Sequence, residues 1–230
     1  MKTSNKLYWI LGAVCALNFA GHLVCYPFLP DQVPVHWNFA GVVDDFGPKW
    51  SALLLALLPP AMLVLFRFLP SIDPKGKNYG QSGVWRCFVL GLTLFFCAFT
   101  WLVELSVFGI LPQQGGFVSV LIGGGMGILF IILGNYMPRI RQNYMFGVRT
   151  PWALADEHTW NRTQRMGGIT FIVMGVSLLV LSLLAGLLGE MLTFVLILVF
   201  LLGGLLWSFV YSYLVYTCLL YTSDAADDWS

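Results

Sequence analysis

The side chains in this sequence that could exchange protons or hold a charged ligand fall into three sets. Asn18 and His22, four residues apart, lie on one face of a helix, and Glu104 sits far along the chain in another apolar run. A carboxylate at the centre of a membrane helix costs about 2.5–3.5 kcal/mol on insertion scales, so Glu104 is expected to face other helices. Two readings follow. Glu104 pairs with His22 in a polar cavity that opens outward and binds a peptide or carries a proton, or it makes a helix–helix hydrogen bond or snorkels outward.

The second set is His36, Trp37, Asn38, Asp44 and Asp45, in a loop punctuated by Pro30, Pro34, Gly41, Gly47 and Pro48. Proline fixes φ and glycine permits positive φ, which predicts a shaped loop over about 30–50 with little helix. The alternation Val33, Val35, Trp37, Phe39 predicts a short extended segment with His36 and Asn38 on its other side. Trp37 and Trp50 suit the headgroup layer. The polar members are a recognition surface or weak cation site on one reading, and turn-forming, solvated residues on the other.

The third set is Asn135, Asn143, Arg149, Thr150, Trp152, Trp160, Thr163 and Arg165, in or beside a loop over about 138–166. Thr150 before Pro151 predicts a helix start, with the hydroxyl as cap and proline in the first turn. A short interfacial helix is expected to run from there toward the next apolar run, with Trp152 and Trp160 anchored among headgroups. Topology determination and phosphate contact account for the arginines alone, but this mixture of hydrogen-bonding and stacking side chains exceeds a plain polybasic patch.

Catalytic signatures are missing. There is no H-E-x-x-H, G-x-S-x-G or phosphate-binding glycine loop, so no catalytic residue, cofactor or enzyme activity is expected. His22, His36 and His158 belong to three different environments and cannot share an ion. The five cysteines lack C-x-x-C spacing, so neither a metal site nor a disulfide framework is expected.

The elements that position these residues are apolar. Of 230 residues 58% are hydrophobic and 10% charged, far from the roughly 25% charge of a soluble domain. A net charge of +1 gives no field to attract nucleic acid. Runs at 7–29, 50–69, 84–110, 117–137, 167–189 and 191–216 each reach the ~20 residues that cross a bilayer. The first is too long for a signal-peptide core and is read as retained. Lacking alternation, all six are expected to be helices, giving an all-α polytopic membrane protein. With the N-terminus cytoplasmic, 11 of the 12 Lys and Arg residues fall on the inside and only Lys49 outside, so both termini are expected in the cytoplasm.

Pro59-Pro60 should kink the second span. Gly123-Gly124-Gly125-Met126-Gly127 should let the fourth approach a neighbour closely, and Gly203-Gly204 does so less clearly in the sixth. The expected organisation is an N-terminal module over 1–70, a third helix with connectors over 71–116, and a three-helix unit over 117–217. The acidic stretch over 218–230 reads as a non-native tail.

The segment G-N-Y-M-P-R-I-R-Q-N-Y-M-F-G-V-R-T-P-W-A-L, followed by H-T-W-N-R-T-Q-R-M-G-G, resembles the signature of the SdpI family of bacterial membrane immunity proteins. The outer loop with Pro34, His36, Trp37, Asn38, Gly41, Asp44, Gly47 and Lys49 is similar to the module of unknown function that often precedes it. Where the family often has proline before Asn143 this chain has Gln142, so a different entry turn is expected. The resemblance implies six spans and protection from a secreted peptide toxin. It also implies relay of toxin presence by holding a transcriptional repressor at the membrane. A transporter of small molecules or peptides, and an envelope-maintenance protein, are the alternatives. Membrane lipids are expected partners in every case.

Overall fold

In a computed structural model, the described residues are 5–38, 40–80, 83–112 and 116–227. Phe39 of the alternating segment and residues 228–230 of the acidic tail lie outside them. Among the described residues, six helical stretches are long and apolar enough to cross a membrane: Asn5–Phe28, Trp50–Ile72, Val84–Val107, Phe117–Arg139, Glu157–Leu188 and Glu190–Leu219. The protein is a multi-pass, mainly helical membrane protein, because lipid offers the backbone no partners and helices satisfy it internally.

The first span is α1 (Asn5–Cys25). The second is broken into α2 (Trp50–Ala56) and α3 (Leu58–Ile72), at the place where Pro59-Pro60 must interrupt hydrogen bonding. The third divides into α4 (Val84–Phe99) and α5 (Leu102–Val107), a break with no proline to announce it. α6 (Phe117–Tyr136) is the fourth span. After a five-residue helix, α7 (Pro151–Ala155), the chain enters α8 (Glu157–Leu188) and finally α9 (Glu190–Asp227).

α8 corrects one expectation. Its 32 residues extend about 48 Å, well beyond the ~30 Å hydrocarbon core, so residues 157–166 begin the spanning helix instead of lying along the interface. Asp156 caps it, accepting a hydrogen bond from the Thr159 N–H at 2.6 Å.

Two helix groups carry the packing. α1, α3 and α4 enclose Leu11, Leu63, Phe66, Trp85 and Val89. α6 and α8 meet along small residues. A Cβ on Gly127 would lie 2.6 Å from the Gly175 carbonyl oxygen, and one on Gly175 would lie 2.5 Å from that of Gly127. No other residue type permits that approach. α9 packs on α8 at Gly204, beside Met174 and Thr170.

Between α1 and α2 the loop forms an antiparallel hairpin of β1 (Gln32–Trp37) and β2 (Val43–Pro48). The extended segment is present, but its strict alternation is not. The register shifts between Pro34 and His36, and Val35 is 39% exposed while Val33 is fully buried. An extra residue in one strand re-aims the side chains around it.

Candidate functional site

At one end of the bundle, helix spacing stacks Asn18 and His22 against the α4–α5 break. His22 Nδ1 lies 2.6 Å from Glu104 Oε1 and its Nε2 lies 3.2 Å from Thr100 Oγ1, with His22 and Glu104 essentially inaccessible. The Trp101 ring stacks on His22 at 4.3 Å and donates its indole N–H to Asn18 Oδ1 at 2.8 Å. The break in the third span places these residues. Thr100 ends α4 with its hydroxyl bonded to the Cys97 carbonyl at 2.9 Å, and Trp101 turns toward α1. Because Thr100 donates to Cys97, its oxygen accepts from His22 Nε2–H. Glu104 Oε2 is buried and has no hydrogen-bond partner among the described residues. The arrangement ties α1 to α5.

The hairpin covers the same end of the third span. Trp37 packs against both the Leu29–Val33–Ala52–Val103 cluster and the Leu102–Leu111–Val118 cluster, so it is a keystone of the docking. Asn38 is equally committed. Its Oδ1 accepts from the N–H groups of Ala40 and Val42 at 3.1 and 3.0 Å and shapes the turn. Gly41, at φ +76°, closes against α6, where a Cβ would meet the Ser119 nitrogen at 2.7 Å. What faces outward is the His36–Asp44 pair, 2.6 Å apart and solvated, with Val35, Val42 and Phe46 around it. A cavity of about 170 Å³ lined by Trp37, Val42, Phe46, Ser106, Leu111 and Val118 opens beside them. Val42 and Phe46 were missed in the sequence because β2 carries no alternating apolar pattern.

At the other end, the loop before α4 and the loop between α6 and α8 are knitted together. Buried Asp73 accepts from Tyr79 Oη at 2.7 Å and from the Tyr144 N–H at 2.8 Å. Burial, with the Asp73 carboxylate beside it, pushes the Tyr79 hydroxyl well above its ordinary pKa. Asn143 Oδ1 accepts from the N–H groups of Met145 and Phe146, which fixes the turn. Gln142, at the family's proline position, donates to the Ala153 and Leu154 carbonyls and accepts from Lys75 Nζ. Gln164 pairs with both the N–H and the carbonyl of Val148 at 3.1 and 2.8 Å. Thr150 caps α7, its hydroxyl oxygen accepting from the Ala153 N–H at 3.2 Å.

Trp160 is not a headgroup anchor. It is wholly buried and donates to the Ile140 carbonyl at 2.8 Å, away from any headgroup. Trp152 packs edge-on against Phe209 and Tyr213 of α9. Arg149 is exposed and donates to the Tyr144 carbonyl at 2.8 Å, Arg165 is exposed on α8, and Asn135 bonds back to the Ile131 carbonyl. Asp73, Tyr79 and Gln164 were missed, since single polar residues next to apolar runs carry no spacing signal. Among the described residues no three His, Cys, Asp or Glu side chains are grouped to hold an ion.

The motif resemblance holds when the chain is compared with known proteins. Residues 139–212 match the SdpI/YfhL protein family, and residues 13–58 match a domain of unknown function, DUF1648. The chain is 27% identical over 178 residues to "Immunity protein SdpI" of Bacillus subtilis (strain 168), an alignment covering 75% of this chain and 80% of that one. No solved structure matches it significantly.

Proposed function

We propose that this protein confers immunity to a secreted peptide toxin, meeting the toxin at the hairpin and a cytoplasmic partner at the loop between α6 and α8. The observation that carries this reading, beside the similarity to an immunity protein over three quarters of the chain, is that the third span touches both faces. Val103 and Glu104 of α5 hold the hairpin and His22, while Val84 and Trp85 of α4 pack with the residues that build the opposite loop. A perturbation of the hairpin therefore has a short, packed route to the other side. A transcriptional repressor held at the membrane is the partner this reading favours.

The Lys and Arg distribution supports placing the hairpin outside and both termini in the cytoplasm. In a cysteine-free background, a cysteine at Ala40 should react with an impermeant thiol reagent in intact cells and one at Asp156 only after lysis. Labelling at 156 in intact cells would refute the orientation.

The recognition test uses exposed residues, because removing Trp37 or Asn38 would dismantle the hairpin itself. His36→Ala with Phe46→Ala should abolish protection from toxin at unchanged membrane abundance. Full protection at equal abundance would reduce the hairpin to a connector. On the inner side, Arg149→Lys and Arg165→Lys keep the charge but lose bidentate geometry, and should reduce recovery of the partner from solubilised membranes.

A further inference from the structure

We propose that the groove between the third and sixth spans is a binding site for one anionic phospholipid, its acyl chain in the groove and its phosphate on Arg149. The groove encloses about 530 Å³ between α4, α6, α8 and α9. That lies within the range of built ligand pockets and far above an ordinary packing void. Its α4 wall runs from Val84 to Phe95, twelve residues that span about 17 Å. Half of a ~30 Å hydrocarbon core is one leaflet, so the groove has the length of a single acyl chain.

It also opens toward lipid. Ile128, Ile132, Leu205 and Phe209 line it and are each about half exposed. The inner wall is mostly apolar, with Phe88, Leu92, Leu129 and Met174 among its residues and Ser208 a buried polar one on α9.

Charge selects the headgroup. Among the described residues Arg149 is the one charged residue that lines the groove, and it stands where the groove meets the polar loop. One of its N–H groups donates to the Tyr144 carbonyl, which fixes the guanidinium and leaves further donors for a phosphate. Tyr136, another lining residue, lies under the Arg139 guanidinium at 5.8 Å, adding a second positive charge to the rim. Among the described residues no carboxylate lines the groove. A bound lipid would seal α4 to α9, which otherwise stand apart across this groove, and would brace the loop that carries Arg149.

The experiment is native mass spectrometry of the full chain released from bilayers of equimolar phosphatidylglycerol and phosphatidylcholine. It reads lipid retention and not toxin protection, so its result is independent of the immunity reading. Wild type should retain one phosphatidylglycerol in preference to phosphatidylcholine. Arg149→Gln should lower that preference about fivefold, the effect of one basic residue at a membrane surface, and Arg149→Lys should preserve it. Gly91 lines the groove, and a Cβ there meets no atom within 4 Å, so Gly91→Phe fills the space without striking backbone. It should lose both lipids, as should Cys87→Trp at the wall. Equal retention of the two lipids by wild type would overturn the proposal. So would wild-type retention in either groove-filling variant, or a lipid-free dimer in which a second copy covers the groove.

Discussion

Replacing His22 by leucine removes the one hydrogen-bond partner that Glu104 has among the described contacts, and leaves a carboxyl group buried with both oxygens unpaired. Breaking one side of a buried pair in this way costs about 3–5 kcal/mol. The lost Trp101 stack adds about 0.5–1.5 kcal/mol. Replacing both residues by leucine removes the stranded polar group as well, so the double variant should be more stable than His22→Leu alone. The coupling energy should reach about 2 kcal/mol, near the upper range for contacting residues. Glu104→Gln offers a complementary variant, because an amide N–H can donate to His22 Nδ1. It should keep the fold within about 1.5 kcal/mol, because the amide preserves a hydrogen bond to His22. Reversible unfolding of the four leucine-cycle proteins in lipid bicelles, followed by tryptophan fluorescence, measures the cycle. Additivity within about 0.5 kcal/mol would show that the two side chains do not act as a pair, and would refute the reasoning.

Gly127→Ala puts a Cβ 2.6 Å from the Gly175 carbonyl oxygen and should cost about 1–3 kcal/mol by forcing α6 and α8 apart. Gly12→Ala on α1 meets no atom within 4 Å and should stabilise by about 1 kcal/mol; equal thermal shifts by circular dichroism would count against the glycine contact. Tyr79 keeps its proton in the folded protein above its ordinary value near 10, so its contribution is complete below pH 10 and is lost as pH rises beyond it. Tyr79→Phe should therefore be destabilised at pH 8 by about 1–3 kcal/mol through the loss of one hydrogen bond to the buried Asp73 carboxylate, and should lose less further stability than wild type between pH 10 and 11. A steeper alkaline loss in the variant would be inconsistent with the buried Tyr79–Asp73 bond.

Much of the architecture was decided locally and could be read from the chain. Six apolar runs define six spans, because transfer into lipid depends on each segment's own composition. Pro59-Pro60 breaks the second span through a missing N–H and a ring clash. Thr150 caps α7 because its hydroxyl reaches an N–H three residues away. The glycines of α6 meet α8, as small residues allow. What tertiary structure alone decided are the features made by partners far apart in sequence. β2 has no apolar alternation and becomes a strand only by pairing with β1. Trp160 has the composition of an interfacial anchor, but the Ile140 carbonyl buries it. The third span breaks at Thr100 where no local breaker stands, and the gain there is contact with His22, 78 residues earlier. Asp73 and Tyr79 look like ordinary loop residues until the backbone of Tyr144 arrives 71 residues on. Local sequence fixes the free energy of each segment in its own solvent. Which segments meet depends on packing and hydrogen-bond satisfaction over the whole bundle, and no window of neighbouring residues contains that sum.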